Sequence, residues 1–503
     1  MSKKRILIDG FNLGLETGTG VATYARNLSF CARDLGYDVN VLYNVREAPG
    51  IHTLLKEIAF FDPYVGTPPA WLVWLRQLRQ LLSSPYGVSA RKVPITGRVI
   101  TTTYNSRLPY YDTIWNSPDV FGRAERLFYL SSFLFPTRLR VKLPHHQPHL
   151  AHWTYPLPIY VPGAKNIYTL HDLVPLRLPY TTLDDKRRYF HMTRLLARRA
   201  DHIVTVSETS KRDLINLLGV REDRVTNTYQ AVEIPAKYAN KPEDVVQREI
   251  EGTFNVRYKE YFLFFGAIEP KKNVGRLIEG YLGSKVDTPL LIVGKLAWKS
   301  EQEMRLVNDD ATSYLEQLGS QTFRRRRVFH VDYAPFPLLV SLIRGAKAVL
   351  FPSLYEGFGL PVLEAMKLGT PVLTSNDGAL KEVAGDNALL VDPYDTRAIA
   401  EGIAELDRNA ELRADLSARG KRRADLFSPE AYQIKIGELY KRVLAQGTLK
   451  AALVGLPPKP MDALVDPSPA AVPALVETLG PPERIAATSA EGPQNERFED
   501  RSE

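Results

Sequence analysis

The first half of the chain alternates short runs of consecutive apolar residues with stretches whose apolar residues recur every three or four positions. Residues 5–9 (RILID) read as a strand, residues 21–35 as an amphipathic helix that Gly36 stops, and residues 38–43 as the next strand. Residues 166–170 and 202–206 are further apolar runs, each opening into a polar loop. A second series starts at residues 261–265 and continues through 290–293, 328–331 and 348–351. Strands alternating with helical stretches predict parallel sheets with helices on their faces, an α/β fold. Between about residues 60 and 150 the pattern turns irregular, aromatic and basic. The polar segment 234–256 reads as a linker between the two series. Ser428-Pro429-Glu430 predicts a helix start, with serine as cap and proline in the first turn, and Gly447 its stop. From Thr448 onward Pro, Ala, Glu and Ser dominate without periodicity, so 450–503 is expected to be a disordered tail.

With 503 residues the chain exceeds what one core usually supports, which fits two domains. A hydrophobic fraction of 44% and a charged fraction of 24% are those of ordinary globular protein. One cysteine, Cys31, excludes an internal disulfide framework and fits a reducing compartment; its place in a helical stretch suggests packing. The basic start runs into a short strand and not into a long apolar segment, and no run of residues is apolar enough to span a membrane. A cytoplasmic protein is expected. The net charge of +8 changes this picture little, because no DNA- or RNA-recognition motif accompanies it. An anionic substrate or an anionic membrane surface accounts for the bias.

The most informative stretch is residues 351–364, FPSLYEGFGLPVLE. An apolar strand runs into a glycine-bearing turn, and Pro361 suits the first turn of a following helix. The free N–H groups of a helix start make an anion site of the kind that holds a diphosphate. Glu356 lies just before that helix and Glu364 about one turn into it, so one carboxylate can reach each side of a ligand seated there. Carboxylates pair with hydroxyls, and a nucleotide sugar carries diols at both ends.

This run, continued through Glu364-Ala-Met366, resembles the E-x7-E signature of the retaining GT-B glycosyltransferases of family 4. Four further segments resemble the family in the expected order, so that the match runs from Asp9 to about Leu444. After the first strand comes a loop with Gly18 and Gly20, whose backbone would approach a phosphate or the acceptor; Thr23 stands where a dinucleotide fingerprint needs a small residue, which disfavours a Rossmann dehydrogenase. His171-Asp172 ends a strand where open α/β sheets bind ligands, and the resemblance puts the His171 backbone carbonyl against the reacting carbon of the donor sugar. Gly266-Ala-Ile-Glu-Pro-Lys271-Lys272-Asn273 resembles the turn whose basic residues hold the diphosphate; Lys271 replaces an arginine and loses its bidentate fork. Gly294-Lys295 resembles a site near the nucleotide, and Ser207 is a family match that also suits a helix cap.

The resemblance implies two Rossmann-like domains facing a cleft: 1–233 for the acceptor, a linker at 234–256, and 257–427 for the nucleotide sugar. Residues 428–447 would return to the first domain, ahead of a tail at 448–503. It implies His171, Lys272 and Glu356 as catalytic residues, with Glu356 on the sugar hydroxyls and Glu364 on the ribose diol. Lys271, Asn273, Gly294, Lys295 and Leu360 would line the donor site, and the backbone of Gly357, Phe358 and Gly359 would position the sugar. No Asp-x-Asp motif occurs, so neither metal nor cofactor is expected, with Lys272 and the helix start in the place of a cation. The inherited mechanism is same-face attack, the leaving phosphate taking the acceptor proton. The donor leans to GDP-mannose, because Gly294-Lys295 with Trp298 looks like mannosyltransferase relatives; the acceptor class is a polysaccharide, a lipopolysaccharide intermediate or a lipid-linked glycan. Two readings stand for the apolar and basic stretch 71–82, with Arg123, Arg126, Arg138, Arg140 and Lys142 beyond it: a helix resting on the inner face of an anionic membrane, or a core helix with a solvated edge. A nucleotide-sugar epimerase, a phosphorylase and a non-catalytic GT-B scaffold are the alternatives; neither the extra acid–base residues nor a pyridoxal-phosphate motif is identified.

Overall fold

The computed structural model describes residues 3–13, 20–45, 53–61, 71, 79, 86–99, 109–131, 137–308, 313–318 and 321–446. The expectations placed on Gly18, on most of 71–82 and on the tail lie outside them. Two parallel sheets carry the fold, and both belong to one compact unit spanning residues 1–450.

The first sheet is built from β1 (Arg5–Asp9), β2 (Asp38–Tyr43), β4 (Arg91–Lys92), β5 (Thr113–Asn116), β7 (Leu150–Trp153), β9 (Lys165–Thr169), β10 (His202–Thr205) and β11 (Val225–Asn227). Its order is β11-β10-β9-β7-β1-β2-β5-β4, with every pair parallel except β4–β5. A small second layer pairs β3 (Val88–Ser89), β6 (Leu139–Lys142) and β8 (Ile159–Tyr160). The irregular region 60–150 thus supplies edge strands and a helix. The longer helices around this sheet are α1 (Gly20–Asp34), α2 (Thr53–Phe61), α3 (Val120–Ser131), α4 (Lys186–Arg199) and α5 (Glu208–Leu218).

The second sheet runs β16-β13-β12-β17-β18-β19, all parallel, from β12 (Phe262–Phe265), β13 (Leu290–Val293), β16 (Val328–Val331), β17 (Ala348–Phe351), β18 (Val372–Ser375) and β19 (Leu389–Val391). Every residue of β12, β13, β17 and β18 is buried, as a sheet covered on both faces requires. An antiparallel hairpin of β14 (Ser313–Leu318) and β15 (Gln321–Arg326), not anticipated from the pattern, is inserted before β16. The longer helices here are α6 (Glu243–Phe254), α7 (Val274–Ser284), α8 (Phe336–Gly345), α9 (Leu360–Lys367), α10 (Gly378–Ala384), α11 (Thr396–Arg408), α12 (Ala410–Asp425) and α13 (Pro429–Ala445).

The segment 234–256 is not a plain linker. Most of it is α6, whose Val246 and Ile250 are fully buried and whose Phe254 packs on the core. Apolar residues at every fourth position form the stripe that a polar composition conceals. Lys241 seals it, bonding Glu249 at 2.6 Å and Ser341 of α8 at 3.1 Å. The helix start at Ser428 is as expected: its side chain caps the Ala431 N–H and Pro429 opens α13. That helix lies on α1, and Tyr440 reaches the ring of buried His152 in β7 at 2.7 Å. No helix among the described residues is long and apolar enough to cross a membrane.

Candidate active site

The chain leaves β17 at Phe351 and reaches α9 through an eight-residue loop, 352–359. Gly359 makes the turn into the helix at φ +110°, where a Cβ would also strike Leu380 at 2.6 Å. Pro361 stands in the first turn and no side chain caps it, so its N–H groups are open to an anion. At Gly357 the loop meets the N-terminal half: a Cβ there would lie 2.8 Å from the His171 carbonyl oxygen and 3.0 Å from an Asp172 carboxylate oxygen. Glycine is required because two backbones cross at this point.

Two cations and two carboxylates gather under the loop. Lys272 Nζ sits 2.5 Å from Glu356 Oε1 and 5.0 Å above the Phe351 ring. Lys271 Nζ lies 3.2 Å from Glu269. Burial alone would push the Glu356 carboxyl up, but Lys272 and Lys271 outweigh it and hold the group below the usual glutamate range. Burial likewise opposes the charge on Lys271, and Glu356, Glu269 and Asp172 more than restore it. Lys271 is therefore charged at neutral pH, and both lysines are held by carboxylates before any ligand arrives. Glu364 is different. Burial pushes it up to about 7, and no donor among the described residues reaches its carboxylate. Part of its surface still faces solvent, so it is a largely desolvated acceptor that is not sealed in the core.

The His171 ring is anchored by Nε2, which donates to the Thr154 carbonyl at 2.9 Å; Nδ1 is then the bare nitrogen. Burial lowers its pKa, so the ring is neutral. Asp172 does not pair with the imidazole; it accepts the Val174 N–H at 3.1 Å and shapes the turn. The His171 carbonyl accepts the Ser210 hydroxyl at 2.9 Å. Gly20 opens α1 opposite this loop, and a Cβ there would come within 3.3 Å of Leu360.

Three of the anticipated donor-site residues also carry structural duties. The Asn273 amide donates to the carbonyls of Pro352 (3.0 Å) and Pro393 (2.7 Å) and takes a bond from Arg276, so it clamps loops and cannot turn to a ligand. Phe358 is buried against Tyr229 and Phe427, leaving only its backbone to the site. Gly294 serves packing: a Cβ there would lie 1.8 Å from the Gly266 carbonyl oxygen. Lys295 is exposed on the following loop, whose Trp298 indole donates to the Thr181 carbonyl at 2.8 Å across the cleft. Ser207 caps α5 through the Ser210 N–H. Glu269 was overlooked, although its adjacency to Pro270-Lys271 was a usable signal. Contacts made across the halves by Tyr355, Asp213 and Glu382 have no local signature.

Residues 247–423 match the family described as Glycosyl transferases group 1, and residues 96–234 match Glycosyltransferase Family 4. The O-antigen chain mannosyltransferase B of Escherichia coli is 31% identical over 287 residues, 55% of this chain and 70% of that protein. The chain belongs to the group 1 glycosyltransferases. Another relative is the O-antigen chain mannosyltransferase RfbU of Salmonella typhimurium, 26% identical over 49% of this chain and 63% of that protein. The chain spans about a third of the serotype-specific mannosyltransferase WbdA of Escherichia coli, at 28% identity over 52% of its own length. Among solved structures, sucrose-phosphate synthase from Thermosynechococcus elongatus superposes with a TM-score of 0.57 at 18% identity, covering 88% of this chain and all of that one. Anabaena HepE, solved with UDP-glucose, gives 0.54 at 15% identity over 87% and 99%. These likenesses establish the GT-B architecture of the glycosyltransferase: two Rossmann-like sheets facing a cleft.

Proposed function

We propose that this glycosyltransferase moves mannose from GDP-mannose, with retention and without a metal ion, onto a polysaccharide, lipopolysaccharide or lipid-linked glycan. The observation that carries the donor half is the pre-formed Lys272–Glu356 pair beside the open start of α9, with Glu364 unpaired one turn beyond. A diphosphate at the helix start would draw Lys272 partly away from Glu356, whose freed oxygen can take a sugar hydroxyl. Lys272 and the helix N–H groups then stabilise the charge that develops as the sugar–phosphate bond breaks. Glu364 would take the ribose diol. No side-chain carboxylate is assigned as a nucleophile here; the acceptor oxygen attacks on the departing side and the leaving phosphate takes its proton. Mannose and the glycan acceptor are supported by the names of the Escherichia coli and Salmonella relatives. The reading includes work at the cytoplasmic face of a membrane, with the basic residues Arg140 and Lys142, exposed on β6, near anionic lipid.

The test is a thermal-shift series with GDP-, UDP- and ADP-sugars, with and without EDTA. A ligand that binds only the folded state raises Tm by mass action. GDP-mannose should raise it, EDTA should leave the shift unchanged, and Glu364→Ala should abolish it. A shift with UDP-sugars alone would refute the mannose assignment, and loss of the shift in EDTA would refute metal independence. NMR of the product's anomeric signal decides retention.

A further inference from the structure

The donor loop is seated by a helix of the opposite half. Residues 207, 210 and 213 of the α5 segment lie three apart and so share one face. Ser210 is buried, and its hydroxyl lies 2.9 Å from the His171 carbonyl and 3.4 Å from the Gly357 carbonyl, one proton shared between the two halves. One turn on, buried Asp213 accepts the Tyr355 hydroxyl and lies 3.6 Å from Arg177, whose guanidinium stands 6.0 Å over the Tyr355 ring. At the start of α5, Glu382 of α10 crosses the gap to accept the N–H groups of Glu208 (2.7 Å) and Thr209 (3.0 Å) and the Thr209 hydroxyl (3.0 Å). Tyr355 and Gly357 flank Glu356, which grips Lys272. Two contacts from the donor loop and one from α10 therefore converge on the first two turns of one helix.

We propose that Ser210, Asp213 and Glu382 are positioning residues that lock the loop 355–359 onto α5, aligning Glu356 and Lys272 with the His171 carbonyl for transfer. The inference rests on the glycosyl-transfer reading. It implies a division of labour: the C-terminal half holds the nucleotide by itself, and the lock acts on the chemical step.

Ser210→Ala, Asp213→Ala and Glu382→Ala are compared with wild type by steady-state kinetics, nucleoside-diphosphate binding and amide hydrogen exchange. The expected result is a fall in kcat of about tenfold or more, with donor KM and nucleotide affinity changed by less than about threefold. Ser210→Thr, which keeps the hydroxyl, should restore most of the rate. Exchange should accelerate at residues 208 and 209 in Glu382→Ala and at 355–359 in all three, with the sheet strands unchanged. In a double-mutant cycle, Tyr355→Phe should add little to Asp213→Ala. Unchanged kcat in active protein, or a loss of rate that only follows a loss of Tm, overturns the proposal. Absence of transfer by wild type from any donor would overturn the functional reading instead. Exchange would then decide the lock alone, and protected amides at 208 and 209 in Glu382→Ala would overturn it.

Discussion

At the scale of single residues, the site is a matter of which charges have partners. Lys272 and Glu356 hold each other before substrate binds, at side-chain exposures of 12% and 10%. Replacing Lys272 by Ala removes the cation that would meet the leaving diphosphate, a loss of about 100-fold or more in rate. Lys271 still faces Glu356, so the fold should survive; near-normal turnover in Lys272→Ala with an unchanged circular dichroism spectrum would contradict this role. Glu364 gives a prediction of opposite character. Burial raises its pKa from the ordinary 4.5 to about 7, so its cost is absent below about pH 4.5, grows as pH rises from there to 7, and levels off above. At about 1.4 kcal/mol per unit, the penalty reaches about 3 kcal/mol at most. Glu364→Gln should therefore be more stable than wild type at pH 8 and nearly equal to it at pH 4, measured by urea unfolding across that range.

At the scale of elements, strand ends and loop crossings dictate the small residues. The ends of β12 and β13 touch where the Gly294 position meets the Gly266 carbonyl, so Gly294→Ala cannot be accommodated without prising two central strands apart. It should cost more than about 3 kcal/mol or leave the protein insoluble, read by denaturant titration or expression yield. The apolar strands and the amphipathic α1 were legible because burial on two faces or on one stripe writes a period into the sequence. α6 was not, because its stripe is only Val246, Ile250 and Phe254 in an otherwise polar stretch. The β14–β15 hairpin escaped for a related reason: arginines fill the second strand and erase the hydrophobic alternation, which leaves the Gly319-Ser320 dipeptide as the cue.

At the scale of the whole molecule, α13 is the strap. Tyr432, Ile436, Leu439, Tyr440 and Val443 are buried beneath it, and Tyr440 completes a polar chain through His152 and Thr169 to Tyr24. Burying five such side chains is worth about 1.5–3 kcal/mol each. That sum is comparable to the whole stability of a domain, about 5–15 kcal/mol. A chain ending at residue 427 should lose cooperative unfolding, as followed by calorimetry, whereas one ending at 446 should keep it. A sharp two-state transition in the shorter chain would show that the strap is dispensable.

The sequence by itself determined the α/β class and the helix that opens at Leu360, and it singled out Lys272, Glu356 and Glu364 as candidates. Each is encoded locally, by periodicity or by a strand–turn–helix run. It did not reveal that the Asn273 amide clamps loop carbonyls, that the Phe358 ring packs on Tyr229 and Phe427, or that Gly294 sits against the Gly266 carbonyl. Only the tertiary structure decided that Lys272 pairs with Glu356, that no cation among the described residues stands beside Glu364, and that α5 bears the donor loop. Those facts depend on residues 84, 147 and 174 positions apart meeting in one cleft. Local patterning carries no record of such distances, because burial and charge pairing are properties of the packed chain.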